Sequence, residues 1–517
     1  MNRREFLKIT GVTAALSGAA LATNPKPSFA LELGKKHDGF PLEITDEFKG
    51  FNQKYHTFMR TFWDNEAYDD EYIQKSYDAK TVQETGLGFA VQHEGHVASR
   101  HVGKLGFRKI DAALTHAAWS VDQHFATNSE FGIRNAYIQT HPVNPMTGEK
   151  VKDMPVLVNS LYSWDNSKVD SMAAHGEEKY KFMDPQEAST HIKKAAKFLG
   201  ADLVGIAPYN ENTKRWTYTE WATPNVRQEP FTLPDGTKEF APFNPMKLAQ
   251  GEVETYGVTT MKPDFVRDAG FEPKSVIVLA FEMDYDAFKT APALVASAAA
   301  GMAYSRMAET GHKIADFLRS MGYKAAPCGN DTSISVPLAI EAGLGEGSRM
   351  GILVTEKYGP RIRIAKVYTD LELHPDKPVT FGVKEFCDVC MKCADACPGK
   401  AISHEPAQVL TEGAVFSSGK VTKSTTLGVE KWFMNPERCM SFWTYNGGDC
   451  GTCISVCPYN KIDEWHHDLA KLVTLTPFKP LLRDLDELFG YGGPVEPEER
   501  FESKHLKDTV HDFWTKI

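Results

Sequence analysis

Eight of the nine cysteines in this 517-residue chain lie in one stretch near its C-terminal end. The first four follow the pattern C-x2-C-x2-C-x3-C-P: Cys387, Cys390, Cys393 and Cys397. The second four repeat this pattern with a first spacer of ten residues: Cys439, Cys450, Cys453 and Cys457. Thiolates at these intervals are typical ligands of iron–sulfur clusters, which carry electrons. The stretch therefore predicts an electron-transfer centre.

The fourth cysteine of each motif predicts how the clusters are held. In bacterial ferredoxins the cysteine before the proline binds the neighbouring cluster rather than its own. This rule predicts two [4Fe–4S] clusters with crossed ligands. One takes Cys387, Cys390, Cys393 and Cys457, and the other takes Cys439, Cys450, Cys453 and Cys397. The alternatives are a disulfide framework, which export of the chain would favour, and a pair of zinc sites, which the C-x2-C spacing would favour. The doubled x3-C-P ending favours clusters instead.

The overall composition is that of a globular protein with a sizeable core. Hydrophobic residues make up 42% of the chain and charged residues 24%, and its length allows about two to four domains. The formal net charge is −10, and no long basic run occurs. This balance argues against nucleic acid as a partner, so that iron and a small substrate are the better candidates.

The N-terminal residues read as an export signal rather than as part of the fold. Arg3 and Arg4 open the sequence RREFLK, a twin-arginine signature, and a weakly hydrophobic run follows over 9–22. The sequence SFA at 28–30 then provides a cleavage site. The hydrophobic run is shorter than the roughly 18 apolar residues that a membrane span needs. We therefore exclude 1–30 from the fold; the alternative is a chance Arg-Arg pair beside the start methionine.

Helices alternate with buried strands through the middle of the chain. Asp184 is a helix N-cap, followed by a proline and an apolar stripe. Apolar runs and alternating patterns predict four strands, at 203–207, 275–281, 351–355 and 361–367. An Ala-rich helix over 292–321 lies between the second and third strands. The alternation predicts an α/β or α+β core around a central sheet.

These elements position a few side chains that could do chemistry. The Ala-rich helix carries Tyr304 near its middle, and Asn330 follows in the sequence PCGND. The strand at 361–367 alternates so that Arg361 and Arg363 share one face. A cation on the inward face of a strand needs a partner or a function, because an unpaired buried charge is costly.

Together these segments resemble the respiratory reductive dehalogenases, which use a corrinoid and iron–sulfur clusters to remove halide from organohalides. The resemblance rests on the RREFLK leader, HIKKAAKFLGADLVGIAP at 191–208, PCGNDTSIS at 327–335, EAGLGEGSRMG at 341–351, residues 358–369 and both cysteine motifs. The sequence is most similar to the tetrachloroethene and chloroalkane branch, in which APCGND, AKVYTDLEL and KCADACP recur.

The resemblance implies an α+β fold, in which a nitroreductase-like corrinoid-binding core precedes a bacterial-ferredoxin-like domain with two [4Fe–4S] clusters. It implies a division of the chain into an export signal at 1–30, a region covering the active site at 31–180, a corrinoid-binding catalytic core at 181–380, a ferredoxin-like domain at 381–465 and a tail packing on the core at 466–517. The clusters would pass electrons singly to the corrinoid, whose Co(I) state is the strong reductant that dehalogenation requires.

The catalytic residues of the family match Tyr304, Asn330 and Arg363 through the motifs AYSRM, CGND and RIRIAKV. By this resemblance Tyr304 donates a proton to the substrate carbon, and Asn330 holds the tyrosine or orients the substrate. Arg363 stays charged at any working pH and lowers the free-energy cost of a buried phenolate. A lone tyrosine on an Ala-rich helix is more often a core residue, but the two matching partners favour the catalytic role.

The corrinoid is expected in a base-off form, of the cobalamin or norpseudo-cobalamin type. The D-x-H-x-x-G motif of base-off mutases is missing, and the nearest run, DQHFAT at 122–127, ends in threonine where glycine is required. The family holds its corrinoid without such a histidine, here between the 292–335 segment and the cluster domain. Thr332, Ser333 and Ser335 are candidate contacts, although hydroxyl-rich loops are at least as often simple turns.

The substrate pocket should be apolar and aromatic, because chlorinated hydrocarbons offer little to hydrogen-bond. Phe62, Trp119 and Trp443 match aromatic pocket positions of the family. Asp449 stands where a relative carries tyrosine, so the polarity of the pocket and the preferred organohalide stay open. Cys328, the ninth cysteine, is expected to be a buried structural residue.

The expected function is removal of chloride from tetrachloroethene, trichloroethene or a chloroalkane in anaerobic organohalide respiration. The resemblance implies a small membrane-anchor subunit and a quinone-linked electron donor in the membrane, and it allows a homodimer. The chain would act at the outer face of the cytoplasmic membrane or in the periplasm. Two alternatives stay open: an epoxyqueuosine-reductase-like enzyme, which combines the same cofactors but is cytoplasmic, and a passive iron–sulfur electron-transfer protein.

Overall fold

The computed structural model describes residues 34–61, 63–64, 66–77, 101–128, 179–227, 231–232, 238–239, 254–330, 332–460 and 503–516. The chain divides into two units, Met1–Lys35 and Lys36–Ile517. The predicted export signal at 1–30 lies outside the described residues. Within the segments given above, no helix is long and apolar enough to cross a membrane.

The helices of these segments are α1 (Thr57–Arg60), α2 (Glu71–Ser76), α3 (Lys109–Asn128), α4 (Pro185–Phe198), α5 (Glu211–Lys214), α6 (Phe265–Ala269), α7 (Tyr285–Lys289), α8 (Leu294–Ser320), α9 (Ser335–Glu341), α10 (Val383–Cys390), α11 (Lys392–Asp395), α12 (Pro436–Asn446), α13 (Thr452–Ser455) and α14 (Lys504–Thr515), and a 3₁₀ turn (Gln53–Tyr55) precedes α1. The strands are β1 (Lys35–Lys36), β2 (Leu203–Pro208), β3 (Trp221–Arg227), β4 (Phe231–Thr232), β5 (Lys238–Glu239), β6 (Glu254–Met261), β7 (Ser275–Glu282), β8 (Ala325–Cys328), β9 (Glu346–Gly347), β10 (Leu353–Val354), β11 (Ile362–Thr369), β12 (Val379–Thr380), β13 (Gln408–Val409), β14 (Val415–Phe416), β15 (Gly419–Lys420) and β16 (Glu430–Lys431).

The core is built around a four-stranded sheet in the order β2-β7-β11-β8, in which every neighbouring pair is antiparallel. Side chains of β7 alternate between two apolar cores, because successive residues of a strand point to opposite faces. Ile277 and Leu279 pack with α4 and α8, whereas Val276 and Val278 pack with α9. The sheet is therefore covered on both faces, which explains the continuous apolar run of β7. Helices and strands are mixed, as the alternation in the sequence predicts.

The helix α4 begins where its sequence signal places the cap. Asp184 has extended backbone, and its Oδ1 accepts a hydrogen bond from the Glu187 N–H at 2.8 Å. The Glu187 Oε2 accepts in return from the Met183 N–H at 2.6 Å. The first bond satisfies a backbone donor that the first turn of a helix leaves without a partner, and the second joins the residue before the cap to that turn.

Three of the four predicted strands are confirmed within one or two residues at each end, as β2, β7 and β11. The strand predicted at 351–355 is too long, since only β10 forms there. Gly351 has a φ of 74°, and its N–H donates to the Ser348 carbonyl at 2.9 Å. Because of this tight turn, the first two residues of the apolar run, Gly351 and Ile352, do not belong to the strand.

The two cysteine motifs fold into similar units. In each motif the residue after the second cysteine has left-handed backbone, with φ 56° at Met391 and φ 67° at Gly451. That residue leads into a short helix that carries the next cysteine, α11 in the first motif and α13 in the second, and these helices pack together. Helix α12 carries Cys439 in its first turn and extends into the ten-residue spacer of the second motif, where Trp443 lies.

The helix α14 is the described part of the tail predicted at 466–517. Its buried residues Leu506 and Val510 pack beside the start of α8. The Trp514 indole Nε1 donates to Asp111 Oδ1 of α3 at 2.8 Å. This helix therefore covers the end of the α3–α8 pair, which carries the candidate site.

Candidate active site and cluster-binding thiols

The structure brings Tyr304, Asn330 and Arg363 together. The Asn330 Nδ2 donates a hydrogen bond to the Tyr304 hydroxyl at 2.8 Å. The Arg363 guanidinium carbon lies 5.2 Å from the centroid of the Tyr304 ring, which is within the range of cation–π attraction. The three residues come from separate parts of the chain: α8, the loop after β8, and β11.

The register of the central sheet places the arginine at this site. Arg363 of β11 lies opposite Phe281 of β7, and directly opposed residues of an antiparallel pair point to the same face. Phe281 packs with α8, so Arg363 faces that helix too. Arg361, on the same face of the strand, pairs with Glu282 Oε1 at 2.6 Å and donates to Asn460 Oδ1 at 2.9 Å. Of the two inward cations, Arg361 is therefore structural and Arg363 belongs to the site.

The phenol of Tyr304 stays protonated at neutral pH. Burial is the largest influence and raises the pKa of Tyr304 above its ordinary value. The charge of Arg363 and the hydrogen bond from Asn330 lower this pKa, whereas the charges of Asp122 and Asp449 raise it. The anion would meet one cation and one hydrogen-bond donor, both of which stabilise it. Such a group can give up a proton during a reaction and regain it afterwards.

Asp449, which the family resemblance places at a pocket position, also lies at this site, and its pairing with Arg363 is not foreseen from the sequence. Its carboxylate Oδ2 lies 3.9 Å from Arg363 Nη2, and its side chain is 11% exposed. Ser297 of α8 donates to Asp449 Oδ1 at 3.1 Å. Burial raises the pKa of Asp449, against the opposing influence of Arg363 and Ser297. The sequence signals for this residue are its pocket position in the family and its place next to Cys450, and neither of them names Arg363 as its partner.

The Arg363 guanidinium has a donor that fits a bound group. Among the described residues, no hydrogen-bond partner reaches its buried Nε. A buried donor without an acceptor carries a desolvation cost of about 1–3 kcal/mol. A corrinoid bears amide side chains around its ring, and their oxygens would accept from such a donor. This face of the site therefore fits the predicted cofactor.

The three predicted corrinoid contacts differ in position. Thr332 and Ser333 are enclosed by protein, and Ser333 Oγ accepts from the Tyr368 hydroxyl at 2.8 Å. Ser335 is half-buried, and its hydroxyl donates to Asn330 Oδ1 at 2.9 Å. Ser335 is thus joined to the tyrosine site, whereas Thr332 and Ser333 stabilise the loop that carries Asn330.

The aromatic residues predicted to line the substrate pocket lie in two different places. Trp119 of α3 is buried and stacks on Tyr304, with ring centroids 4.9 Å apart and planes inclined by 24°. Trp443 of α12 is half-buried, and its ring centroid lies 6.3 Å from that of Phe58. Phe62 lies outside the described residues. Trp119 therefore contacts Tyr304, and Trp443 belongs to a second aromatic pair.

Gly301 of α8 makes room for Trp119. A Cβ atom at position 301 would lie 2.3 Å from Trp119 Cδ1, closer than side chains pack. We expect Gly301→Ala to displace the indole from the Tyr304 ring. The free energy of unfolding should fall by about 1–3 kcal/mol, the usual cost of overpacking a core. Thermal unfolding followed by circular dichroism measures this loss.

Met302→Ala is the matched control, because the neighbouring Met302 side chain is 52% exposed. Its truncation should change the free energy of unfolding by no more than about 0.5 kcal/mol. An unchanged melting temperature for Gly301→Ala would mean that Trp119 does not depend on the missing side chain.

None of the eight motif cysteines forms a disulfide bond in the described segments, so the disulfide alternative is wrong. Burial raises the pKa of five of them: Cys387, Cys393, Cys397, Cys439 and Cys453. A buried thiolate is costly alone and stable as a metal ligand, so these thiols fit iron–sulfur clusters. In the described segments, no group of three or more His, Cys, Asp or Glu residues is placed to hold a single metal ion.

Electrostatic interactions between the thiols divide them into two sets. The thiols acting most strongly on Cys393 are Cys387, Cys457 and Cys390. Those acting most strongly on Cys439 are Cys397, Cys453 and Cys450. The fourth cysteine of each motif therefore lies among the thiols of the other motif, which is the arrangement that crossed ligation requires.

Arg349 fixes the loop of the first thiol set. Its side chain is fully buried, and Nε donates to the Cys387 carbonyl at 3.0 Å. Its Nη1 donates to the Ser403 and Glu405 carbonyls at 2.7 and 2.8 Å. Arg349 also acts against burial and lowers the pKa of Cys387. One guanidinium thus holds three carbonyls of two backbone segments and places positive charge beside the thiols.

Comparisons with known proteins extend these observations. A family model described as a 4Fe-4S double cluster binding domain matches residues 386–460. The chain is 42% identical over 556 residues to the tetrachloroethene reductive dehalogenase of Desulfitobacterium hafniense, with 99% of this chain and 98% of that protein covered. It is also 42% identical over 557 residues to the tetrachloroethene reductive dehalogenase of Dehalobacter restrictus, with the same shares covered.

Solved structures share the fold. A reductive dehalogenase whose structure suggests a mechanism for B12-dependent dehalogenation matches with a TM-score of 0.54 at 18% identity, over 92% of this chain and 50% of that chain. The catabolic reductive dehalogenase NpRdhA matches with a TM-score of 0.54 at 19% identity, over 89% of this chain and 49% of that one. This chain therefore spans about half the length of those two proteins.

Proposed function

Since this chain belongs to the reductive dehalogenases, a family of oxidoreductases, we propose that it removes chloride from a small organohalide in anaerobic organohalide respiration. The proposed substrates are tetrachloroethene, trichloroethene or a chloroalkane. The main support is the meeting of Tyr304, Asn330 and Arg363, which sets a protonated phenol beside a cation. The identity to two tetrachloroethene reductive dehalogenases over nearly the whole chain supports the substrate class.

The proposed reaction replaces one chlorine atom by hydrogen. The carbon–chlorine bond breaks, chloride leaves, and a carbon–hydrogen bond forms with the uptake of two electrons and one proton. The two crossed thiol sets would hold two [4Fe–4S] clusters, which would supply electrons one at a time from a reduced donor. The corrinoid, when bound, supplies the cobalt centre that is reducing enough to break the carbon–chlorine bond.

In this proposal Tyr304 donates the proton, and neighbouring residues stabilise the phenolate that remains. The raised pKa of Tyr304 keeps its proton in place until the substrate carbon takes it. The phenolate that remains is stabilised by the Arg363 charge and by the Asn330 hydrogen bond. Trp119 covers one face of the ring and holds it in position. Proton uptake from solvent then restores the acid.

The fold of the core and the form of the cofactor are part of the proposal. The sheet β2-β7-β11-β8, with helices on both faces, is proposed to be a nitroreductase-like core that binds a base-off corrinoid of the cobalamin or norpseudo-cobalamin type. The buried Arg363 Nε and the position of Ser335 support a cofactor at this face. The domain boundaries given above, at 30, 180, 380 and 465, remain the proposed division.

The sequence signals support the proposed location, and the family resemblance supports the proposed partners. The twin-arginine signature supports export and action at the outer face of the cytoplasmic membrane or in the periplasm. The proposed partners are a small membrane-anchor subunit, a quinone-linked membrane donor and a second copy of the chain. The acidic balance of the chain argues against nucleic acid.

Anaerobic reconstitution with iron, sulfide and corrinoid tests the proposed activity. With reduced viologen as electron donor, the loaded protein should release chloride from tetrachloroethene, trichloroethene or a chloroalkane, and iron and cobalt should co-purify with it. An epoxyqueuosine-reductase-like enzyme would instead reduce a tRNA stem loop that contains epoxyqueuosine. A passive electron-transfer protein would accept electrons and release no chloride. Either of these results would overturn the proposal.

A further inference from the structure

Lys366 is a buried cation on the opposite face of β11 from Arg363. Its side chain is 0% exposed, and its ammonium donates to the Ser333 carbonyl at 3.2 Å and to Ser335 Oγ at 2.9 Å. A charge buried in a core is costly and is usually retained for a reason. The proposed reaction gives this lysine no part so far.

Hydrogen bonds connect Lys366 to the active-site tyrosine. Ser335 accepts from Lys366 and donates to Asn330 Oδ1 at 2.9 Å. The Asn330 Nδ2 donates in turn to the Tyr304 hydroxyl at 2.8 Å. We call these four residues, in the order Lys366, Ser335, Asn330 and Tyr304, the Lys366 series.

The ammonium sets the direction of the series. An ammonium group can donate but cannot accept, so Ser335 must accept from Lys366. The Ser335 hydroxyl hydrogen is then available for Asn330, whose carbonyl oxygen accepts it in the structure. The reverse orientation would place the ammonium and the Asn330 amide on the two lone pairs of Ser335, leave the Ser335 hydrogen without the Asn330 acceptor, and turn the Asn330 oxygen toward Tyr304. The amide thus meets the tyrosine as a donor.

This direction keeps the phenolic hydrogen out of the contact with Asn330. Tyr304 accepts from Asn330, and Arg363 over the ring is a donor-only group. The other charges that act on the phenol are those of Asp122 and Asp449. A reversed amide would accept the phenolic hydrogen and compete with the substrate for the proton.

We propose that Lys366 is a positioning residue, which acts through Ser335 to orient the Asn330 amide so that Tyr304 presents its proton to the organohalide. The inference rests on the proposed function for the identity of the substrate. It extends that function, because it gives Lys366, on the opposite face of the sheet from Arg363, a part in the protonation of the substrate.

Lys366→Met tests the inference, because it keeps most of the side-chain volume and removes the ammonium. We expect kcat for chloride release to fall about ten- to a hundredfold with KM nearly unchanged, since the substrate pocket is intact and the proton is misdirected. Lys366→Arg keeps a donor-only cation and should recover a large part of kcat. Iron and corrinoid contents should equal those of the wild type in both variants.

Ser335→Ala interrupts the same series one residue closer to Tyr304. The double variant Lys366→Met/Ser335→Ala should be no slower than the slower single variant, because both changes break one connection. Ser189→Ala is the matched control, since its hydroxyl also both donates and accepts: it lies within hydrogen-bond distance of the Pro185 and His374 carbonyls and accepts from the His374 N–H. This control should leave kcat unchanged.

The ultraviolet absorbance of tyrosinate gives a readout that needs no turnover. The alkaline titration step that is missing in Tyr304→Phe belongs to Tyr304. A reversed Asn330 amide would present an acceptor to the phenolate, which disfavours the anion. This step should therefore move to higher pH in Lys366→Met and return toward the wild-type position in Lys366→Arg.

The outcomes separate the inference from the proposed function. If Lys366→Met keeps the wild-type kcat and tyrosinate titration while the wild type releases chloride, the inference is wrong and the function stands. If the wild type releases no chloride from any organohalide, the function is wrong, and the tyrosinate titration alone decides whether Lys366 orients Asn330. Additive losses in the double variant would also overturn the shared series.

Discussion

Replacing Tyr304 with phenylalanine should lower the rate of chloride release by about a hundred- to ten-thousandfold, the usual effect of removing a general acid. The change removes one oxygen atom and leaves the ring that stacks on Trp119. Iron and corrinoid contents should therefore match those of the wild type. An anaerobic chloride assay with reduced viologen measures the rate.

Tyr323→Phe is the matched control for this experiment. The Tyr323 hydroxyl donates to the Tyr180 carbonyl at 2.7 Å, and neither residue belongs to the candidate site. Its loss should leave turnover unchanged. If Tyr304→Phe turned over at the wild-type rate, the proton would come from another group and Tyr304 would not be the donor.

The same tyrosine predicts a sign for the pH dependence. An ordinary tyrosine has a pKa of about 10, and burial raises the pKa of Tyr304 further. The phenol of Tyr304 therefore stays protonated as the pH rises. We expect no decline in the rate of chloride release from deprotonation of Tyr304 between about pH 7 and pH 9. A decline in this window that also appears in the residual activity of Tyr304→Phe would report a different group.

Replacing Cys397 with alanine should remove the cluster of the second cysteine motif, although Cys397 itself belongs to the first motif. Cys397 acts on both Cys439 and Cys453 of that motif, so its loss leaves their set one ligand short. Chloride release should fall to background, because the electron path is interrupted. Iron content should drop by about half, one of two clusters, and EPR of the reduced protein should retain the signal of the other cluster.

Cys328→Ala is the control for the loss of a buried thiol. Cys328 ends β8, and its Sγ contacts the Ala326 carbonyl at 3.6 Å. This variant should keep both EPR signals. Loss of the cluster held by Cys387, Cys390 and Cys393 in Cys397→Ala would refute crossed ligation.

Local sequence patterns predict the parts of the fold that neighbouring residues decide. The apolar run of β7 forms a strand wherever both of its faces are covered, and Asp184 caps α4 through contacts within the first turn of that helix. The alternation of β11 likewise predicts that Arg363 points inward. At 351–355 the pattern fails, because the turn at Gly351 outweighs a short apolar run.

Contacts between distant segments cannot be predicted in this way. The pairing of Asp449 with Arg363 depends on how the cluster segment packs against β11. The hydrogen bond from Lys366 to Ser335 depends on the register between β11 and β8 and on the loop that follows β8. A charged residue in a strand or beside a cysteine has no local pattern that names its partner, so the resemblance to a family was needed to single out Arg363.

The interleaving of the two thiol sets has a consequence for how the protein is made. The set of the second motif is complete only when Cys453 has been synthesised, and that of the first motif only at Cys457. A nascent or truncated chain that stops before these residues can close neither metal centre. With crossed ligation, we expect maturation to be a late, nearly simultaneous event, and deleting either motif should deprive both centres of a ligand.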